Sequence, residues 1–296
     1  MVRVAVTKVF DSNAQVPMPT DEVTKVGDAV NTFIQWPKRL LRLVSNKDVK
    51  ETAKDDLLSN RSEPEKSYIE KSMLRVLNRK HPLKFYLNEN EFFYLPTRDV
   101  MELCLKTEDL CLTILRIWVV YMERLCTQLG NTDVYGFVDP FFIHAENDQE
   151  SSQSHMTAKM FEVNKACYFA PYLKNRHWQL LIIELEKQNV VFLCSMGWKP
   201  DKILVQIVNS AIEGYNMLSG FRKARKPIWE IPACQRQPFN YECGYFIMIH
   251  MLNIVSAGIT DSWNMIFGDE TPFTDDEMTK VQERCANFIL EKVDVI

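Results

Sequence analysis

The clearest hydrophobic pattern lies in the second half of the chain, where short apolar runs alternate with polar turns. Residues 177–185 (HWQLLIIEL) are apolar on both faces of an extended chain, which predicts a central strand covered on both sides. A polar turn at 186–189 separates this run from a second apolar run at 190–194. Shorter runs at 166–171 and 228–231 predict further strands. We therefore expect a sheet in this half of the chain.

Helical periodicity surrounds these predicted strands. Residues 200–218 repeat apolar side chains every three or four positions, which predicts an amphipathic helix. An apolar helix is predicted over 243–255, and a terminal amphipathic helix over 274–293. A long apolar helix is predicted from about residue 108 to residue 128, ending near Gly130. Helices followed by a mixed sheet with packing helices indicate an α+β fold.

The region before that long helix begins with a predicted strand pair over 84–95. Thr97 follows, and its hydroxyl suits the cap of a further helix, with Asp99 and Glu102 placed in the early turns. The predicted fold therefore begins near residue 83.

The first 82 residues have a weaker pattern. Alternation over residues 2–6 predicts a short strand, and residues 63–79 have the spacing of an amphipathic helix. Residues 38–66 are dense in charges of both signs, which is typical of a solvated linker or an exposed helix. We divide the chain into an N-terminal extension with a charged linker, residues 1–82, and a main domain, residues 83–296.

Composition adds limits to this picture. The chain has 296 residues, 46% of them hydrophobic and 25% charged, the balance of an ordinary globular protein. Its net charge of −4 gives no strong nucleic-acid signal. The sequence has no run of eighteen apolar residues, so we expect no membrane span, and no secretory signal is recognised at its start.

The eight cysteines indicate a reducing environment. They form no C-x-x-C pair and no cluster with zinc-site spacing, so we expect neither a metal nor another cofactor. Most lie inside apolar runs, as buried reduced thiols do, which favours the nucleus or the cytoplasm.

The strongest local signal for chemistry is the segment QPFNYECG at residues 237–244. Polar residues and a proline precede Cys243 and an apolar helix follows it, which places the sulfur at a helix N-terminus. Unpaired backbone N–H groups there favour a thiolate and lower its pKa. Gly244 leaves room for a substrate backbone beside the sulfur. Glu242 acts in the opposite direction, because a neighbouring carboxylate raises the pKa of a thiol.

A thiol nucleophile needs a base within hydrogen-bond reach. His250 lies seven residues further along the same predicted helix, a rise of roughly 10.5 Å, which is too far for direct proton transfer. His177 begins the central buried strand, where mixed folds commonly assemble sites, and Trp178 beside it can wall a groove. The remaining histidines lie in polar or loop segments: His81, His144 and His155.

In combination, these positions resemble the active-site pattern of the SUMO-specific, ubiquitin-like protease family. The shared features are His177-Trp178, a strand hairpin, and then Gln237 six residues before Cys243-Gly244. The resemblance covers about residues 85–290 and implies a papain-like α+β fold. Residues 135–140 (YGFVDP) resemble the plant, transposon-encoded branch of the family, and residues 23–37 resemble a segment found upstream of the protease domain there.

The resemblance also implies a role for each position. Cys243 would be the nucleophile, and His177 would take its proton and later protonate the leaving amine. Gln237 would donate a hydrogen bond to the oxyanion, a contribution typically worth about two to three orders of magnitude in rate. Trp178 and Gly244 would line the channel for the Gly-Gly tail of a ubiquitin-like protein, which is the implied partner.

The sequence departs from the family pattern at the third position of the triad. The family places an Asp after the second strand, where this chain has Cys194 followed by Ser195. A neutral thiol does not stabilise an imidazolium as a carboxylate does, and loss of that function in serine proteases costs roughly 10⁴ in kcat. Glu184 and Asp201 are poorly placed to replace the missing Asp. Glu184 points to the other face of the strand, and Asp201 lies beyond the strand.

Three functions are compatible with this sequence. The first is an active thiol peptidase or isopeptidase, weakened by the loss of the Asp. The second is an inactive protease fold that binds a ubiquitin-like protein. The third is a relic of a transposon-encoded protein without a retained role.

Overall fold

The structure is a computed structural model of the chain. It describes residues 2–5, 15–16, 24–25, 28, 33–36, 83–87, 91–106, 108–220 and 225–293. Two compact units are present, Met1–Glu65 and Lys66–Ile296.

The N-terminal unit contains a small antiparallel strand pair. Strand β1 (Val2–Ala5) pairs with β2 (Phe33–Trp36), with Val2 opposite Trp36. The predicted strand over residues 2–6 is therefore confirmed. The predicted charged linker at 38–66 and the predicted helix at 63–79 lie outside the described residues.

The second unit begins with a hairpin and two helices. Strands β3 (Leu83–Tyr86) and β4 (Phe92–Leu95) pair antiparallel, and α1 (Thr97–Leu105) and α2 (Leu112–Leu129) follow. Thr97 does not cap α1, because Pro96 occupies the cap position and Thr97 is already helical. Helix α2 begins later than predicted, because the described residues between the two helices, 106 and 108–111, are not helical.

A five-stranded mixed sheet forms the centre of this unit. Its strands lie in chain order, with parallel pairs at the two edges and antiparallel pairs between them. Every residue of the central strand is buried, so the prediction of a covered strand is confirmed. The strands are β5 (Tyr135–Phe137), β6 (Cys167–Lys174), β7 (His177–Glu184), β8 (Asn189–Leu193) and β9 (Ile228–Glu230).

Five further helices pack around the sheet, which completes the α+β architecture. Asp201 caps α4 by accepting backbone N–H bonds, and Thr274 forms a capping box with Glu277 at the start of α7. These helices are α3 (Gln149–Val163), α4 (Lys202–Leu218), α5 (Cys243–Ala257), α6 (Trp263–Ile266) and α7 (Asp275–Lys292).

The two faces of β7 belong to two different cores. Trp178, Leu180 and Ile182 pack into the larger core with α2, α5 and α7, whereas Leu181 and Ile183 pack into a second core with α3 and α4. Burial of each such side chain contributes about 1.5–3 kcal/mol to stability. Because side chains alternate along a strand, His177 and Trp178 face opposite sides of the sheet.

Within the parts of the chain that the structure describes, no helix combines the length and the apolar content needed to cross a bilayer.

Candidate active site

Cys243 is the first residue of α5, and its thiol lies against the start of β7. The Sγ atom is 3.9 Å from the carbonyl oxygen of Arg176, and the backbone N–H of Trp178 also acts on the thiol. These two backbone groups flank His177 in the chain. Helix α5 therefore brings the candidate nucleophile to the strand end that carries the candidate base.

The thiol of Cys243 is fully buried, and burial raises its pKa to about 12. The backbone N–H groups of Trp178, Gly244 and Cys243 lower the pKa, as expected at a helix start, but their effect is smaller than that of burial. The expectation of a lowered pKa is therefore wrong for this conformation.

The carboxylate that acts on the Cys243 thiol is that of Asp109, which raises its pKa. Glu242, the residue expected to do so, instead accepts a 3.0 Å hydrogen bond from the backbone N–H of Phe239. That bond holds the turn that precedes α5, so Glu242 has a local structural contact here.

The connection between α1 and α2 packs against the residues that flank the thiol. The carbonyl of Leu110 accepts a 2.7 Å hydrogen bond from Nε1 of Trp178, and Arg176 pairs with Asp109 at 2.7 Å. A Cβ atom on Gly244 would lie 2.9 Å from the Cβ of Leu110. Leu110 thus occupies the space beside Gly244 that we predicted for a substrate backbone, and Trp178 is fully buried beneath it.

His177 contacts Cys194 on the opposite side of the sheet. The distance from its Nε2 atom to the Sγ of Cys194 is 3.2 Å, and the ring of Trp198 lies 4.7 Å from the imidazole, centroid to centroid. Burial lowers the pKa of His177 to about 4. Although both side chains lie in the described part of the chain, no hydrogen bond joins this imidazole to Cys243.

Gln237 lies beside the same polar group, in the segment before α5. Its Oε1 accepts a 2.5 Å hydrogen bond from the hydroxyl of Ser195, and its backbone N–H donates to the Ser195 carbonyl at 3.2 Å. One hydrogen of its side-chain amide is donated to the carbonyl of Phe239. The second amide hydrogen is the one that can serve an oxyanion.

The structure places the two substitute acids away from His177. Glu184 is buried at the far end of β7, where it accepts bonds from Trp263 Nε1 at 2.8 Å and Asn189 Nδ2 at 2.8 Å. Asp201 caps α4 and pairs with Lys174 at 2.9 Å. Both carboxylates therefore have structural partners of their own.

Four residues around the site were not anticipated in these positions: Asp109, Leu110, Ser195 as the partner of Gln237, and Trp198. Asp109 and Leu110 precede α2, more than sixty positions before His177 in the chain, and no local pattern signals their contact. The Ser195 contact is suggested only by its position after Cys194. A tryptophan just beyond a strand end is a weak hint of Trp198.

A mixed sheet that carries a thiol at one helix start and an imidazole at the start of the central strand defines a papain-like cysteine-protease fold of the SUMO-protease type. A model described as the Ulp1 protease family, C-terminal catalytic domain, matches residues 121–293, and the chain belongs to this family. Residues 1–44 match a domain of unknown function, DUF8039. No curated protein matches the sequence.

Solved structures support the fold. The C-terminal Ulp1 protease domain in complex with Smt3, the yeast ortholog of SUMO, is 18% identical with a TM-score of 0.56, covering 79% of this chain and 99% of that chain. A de-sumoylating protease is 12% identical with a TM-score of 0.51, covering 72% and 91% of the two chains. The Ulp1-like SUMO protease catalytic domain of Chaetomium thermophilum is 14% identical with a TM-score of 0.50, covering 77% and 90%.

Proposed function

We propose that the chain is a cysteine peptidase or isopeptidase that cleaves after the Gly-Gly tail of a ubiquitin-like protein. The observation that carries the proposal is the position of the Cys243 thiol against the backbone on both sides of His177, within the segment matched by the Ulp1 family. In this proposal, residues 83–296 are the catalytic-type domain and residues 1–82 are an extension.

The proposed mechanism assigns one step to each group. His177 takes the proton of the Cys243 thiol, and the resulting thiolate attacks the carbonyl of the terminal glycine. Since Nε2 of His177 contacts Cys194, Nδ1 is the nitrogen assigned to this proton. Gln237 donates to the oxyanion, His177 protonates the leaving amine, and water then hydrolyses the thioester.

Substrate entry requires the α1–α2 connection to move. The Cys243 thiol is fully buried, and Leu110 fills the space beside Gly244. In the proposal, the arriving tail takes the place of Leu110 and lies against Trp178. Displacement of Leu110 admits water to the thiol before the tail is seated, and that hydration removes part of the burial that raises its pKa.

The test uses ubiquitin-like proteins, SUMO and ubiquitin among them, that carry a C-terminal electrophile. We expect a covalent adduct on Cys243 for one of them, and loss of that adduct in Cys243→Ala. Cys167→Ala is the matched control, because it removes a buried thiol at the far end of the sheet. An adduct that persists in Cys243→Ala, or the lack of any adduct across the probes, would contradict the proposal.

A second candidate function is a binding module that has lost turnover. The covered thiol and the presence of Cys194 where the family has an Asp favour it. This candidate predicts measurable affinity for a ubiquitin-like protein, by calorimetry, with no cleavage of its conjugates. Affinity together with cleavage would exclude it.

The cellular setting also belongs to this proposal. The eight free cysteines are consistent with a reducing compartment, and we propose the nucleus or the cytoplasm. The resemblance of residues 135–140 supports an origin in the plant, transposon-encoded branch. Detection of the protein in plant tissue would separate a retained function from a relic.

A further inference from the structure

The thiol of Cys194 ends β8 and lies against the imidazole of His177. The Nε2–Sγ distance is 3.2 Å, and the two side chains are only 4% and 5% exposed. Trp198 covers the ring from one side. Because solvent does not compete for either group, the contact between this nitrogen and this sulfur fixes the orientation of the ring.

Backbone N–H groups and a guanidinium also surround the Cys194 sulfur. Burial raises its pKa, while the backbone N–H groups of Met196, Gly197 and Trp198 lower it, as does Arg236. Arg236 lies in the place that a Cβ of Gly197 would occupy, so its guanidinium is held beside this turn. Burial outweighs these donors, so the neutral thiol is favoured until the pH is alkaline, and the donors stabilise the thiolate once it forms.

The charged and titratable neighbours of this sulfur come from two elements. His177 comes from β7, and Cys234 and Arg236 come from the segment before α5. The Cys234 sulfur accepts the backbone N–H of Cys194, and Arg236 is paired with Glu270 at 2.5 Å. Among these groups, Nε2 of His177 is the strongest acceptor for the S–H proton of Cys194.

This arrangement links the protonation of Cys194 to the tautomer of His177. When Cys194 is a thiol, its S–H proton points to Nε2, and the ring proton lies on Nδ1. When Cys194 is a thiolate, Nε2–H donates to the sulfur, and Nδ1 carries a free lone pair. Only the second tautomer can accept the proton of Cys243 through Nδ1.

We propose that Cys194 is the positioning residue of His177, and that its thiolate holds the imidazole in the Nε2–H tautomer that a base requires. Ionisation of Cys194 transfers one proton to solvent and moves the ring proton from Nδ1 to Nε2. The inference rests on the proposed function for its catalytic meaning, but the tautomer itself is observable without a substrate.

The direct test is the ¹⁵N shifts of the His177 ring in the full chain, followed from pH 6 to 10 and assigned with His177→Gln. We expect the wild type to change from the Nδ1–H to the Nε2–H tautomer as the pH rises. Cys194→Asp carries a carboxylate and is expected to show the Nε2–H tautomer from pH 6 upward. Cys194→Ser does not ionise in this range and is expected to show no change, whereas the control Cys167→Ala is expected to follow the wild type.

Turnover gives a second readout, with a fluorogenic amide at the C-terminus of the ubiquitin-like protein. We expect Cys194→Asp to raise kcat near pH 7 by at least about ten-fold, with KM little changed, and Cys194→Ser to show a smaller rise of kcat with pH than the wild type, since ionisation of Cys243 still contributes. A single tautomer at every pH in the wild type, or a pH profile of Cys194→Ser identical to that of the wild type, would overturn the inference. A tautomer change without any cleavage would support the inference while removing the proposed function.

Discussion

On the α5 side of the sheet, the buried thiol of Cys243 lies against the backbone of Arg176 and Trp178, and Leu110 packs beside the adjoining Gly244. On the α4 side, the thiol of Cys194 contacts an imidazole and the donors of a turn, with Arg236 nearby. Both thiols are buried, both receive backbone N–H groups and both have a raised pKa, but the charged neighbour is the carboxylate of Asp109 for the first and the guanidinium of Arg236 for the second. The difference indicates that polar contacts hold the base in place, whereas the nucleophile is still covered.

The largest expected effect concerns acid, and it tests how apolar the α5 side is. His250 lies on α5 with its Nε2 unpartnered and faces the rings of Phe267 and Phe273, and burial lowers its pKa to about 4. In the unfolded chain, the His250 imidazole therefore binds a proton near pH 6.5, whereas in the folded chain it binds one only near pH 4. Stability is full above pH 6.5 and falls by about 3 kcal/mol as the pH drops through this window.

Urea unfolding at pH 7.5, 6, 5 and 4 measures this loss. His177 has a lowered pKa as well and acts in the same direction, so His250→Leu is expected to reduce the loss and not to abolish it. An equal loss in the wild type and in His250→Leu would show that the α5 side accommodates the charged imidazole.

The second prediction perturbs the polar side at Gly197. Its φ is +70°, and a Cβ would collide with the Arg236 guanidinium. We expect Gly197→Ala to lower the free energy of unfolding by about 2 kcal/mol, since both strain and displacement of Arg236 contribute. Gly220→Ala is the control, because Gly220 has a φ of +76° with nothing within 4 Å of the added methyl. Equal losses in the two variants would mean that Arg236 moves away freely.

The third prediction perturbs the apolar side at Gly244. A Cβ there would press on Leu110, so we expect Gly244→Ala to cost about 1–2 kcal/mol in unfolding free energy. We also expect faster alkylation of Cys243 by iodoacetamide, because displacement of Leu110 opens the site. Gly214→Ala on α4 is the control, since its Cβ would meet the rotatable Thr157 side chain at 3.0 Å. Slower or unchanged alkylation in Gly244→Ala would mean that Leu110 does not limit access.

The smallest effect is expected from the ion pair that holds the α1–α2 connection. Arg176 is largely exposed, so its pair with Asp109 contributes less than about 1 kcal/mol. Asp109→Asn also removes the carboxylate that raises the pKa of Cys243, and we expect alkylation of that thiol to rise about two- to five-fold. Asp133→Asn, which removes the partner of Lys165, is the control. Alkylation in Asp109→Asn at the rate of the control would show that this pair does not restrict access.

Much of the fold was predictable from the sequence, because local patterns determine it. The continuous apolar run of β7 indicates burial on both faces, and the apolar stripe of α4 indicates an amphipathic helix. Helix α3 was missed, since it buries only three side chains (Ser152, Met156 and Met160) and its apolar periodicity is weak. Thr97 was misjudged as a cap, because the proline before it takes that position.

The candidate site was predictable as a set of residues and not as a set of contacts. The order of His177, Gln237 and Cys243 can be seen in the sequence, and these residues remain the predicted catalytic groups. The sign of the thiol pKa was misjudged, because burial under Leu110 depends on a connection distant in sequence. The sequence indicates Cys194 as the residue at the position where the family has an Asp, but not that its sulfur contacts Nε2 of His177.

The step from Cys194 to Ser195 has a further consequence. Cys194 contacts the base, and the next residue anchors the amide of Gln237. Orientation of the base and stabilisation of the oxyanion thus depend on one peptide unit. A shift of that peptide unit misaligns both groups together. The double substitution of Cys194 and Ser195 should therefore reduce activity by less than the product of the two single reductions.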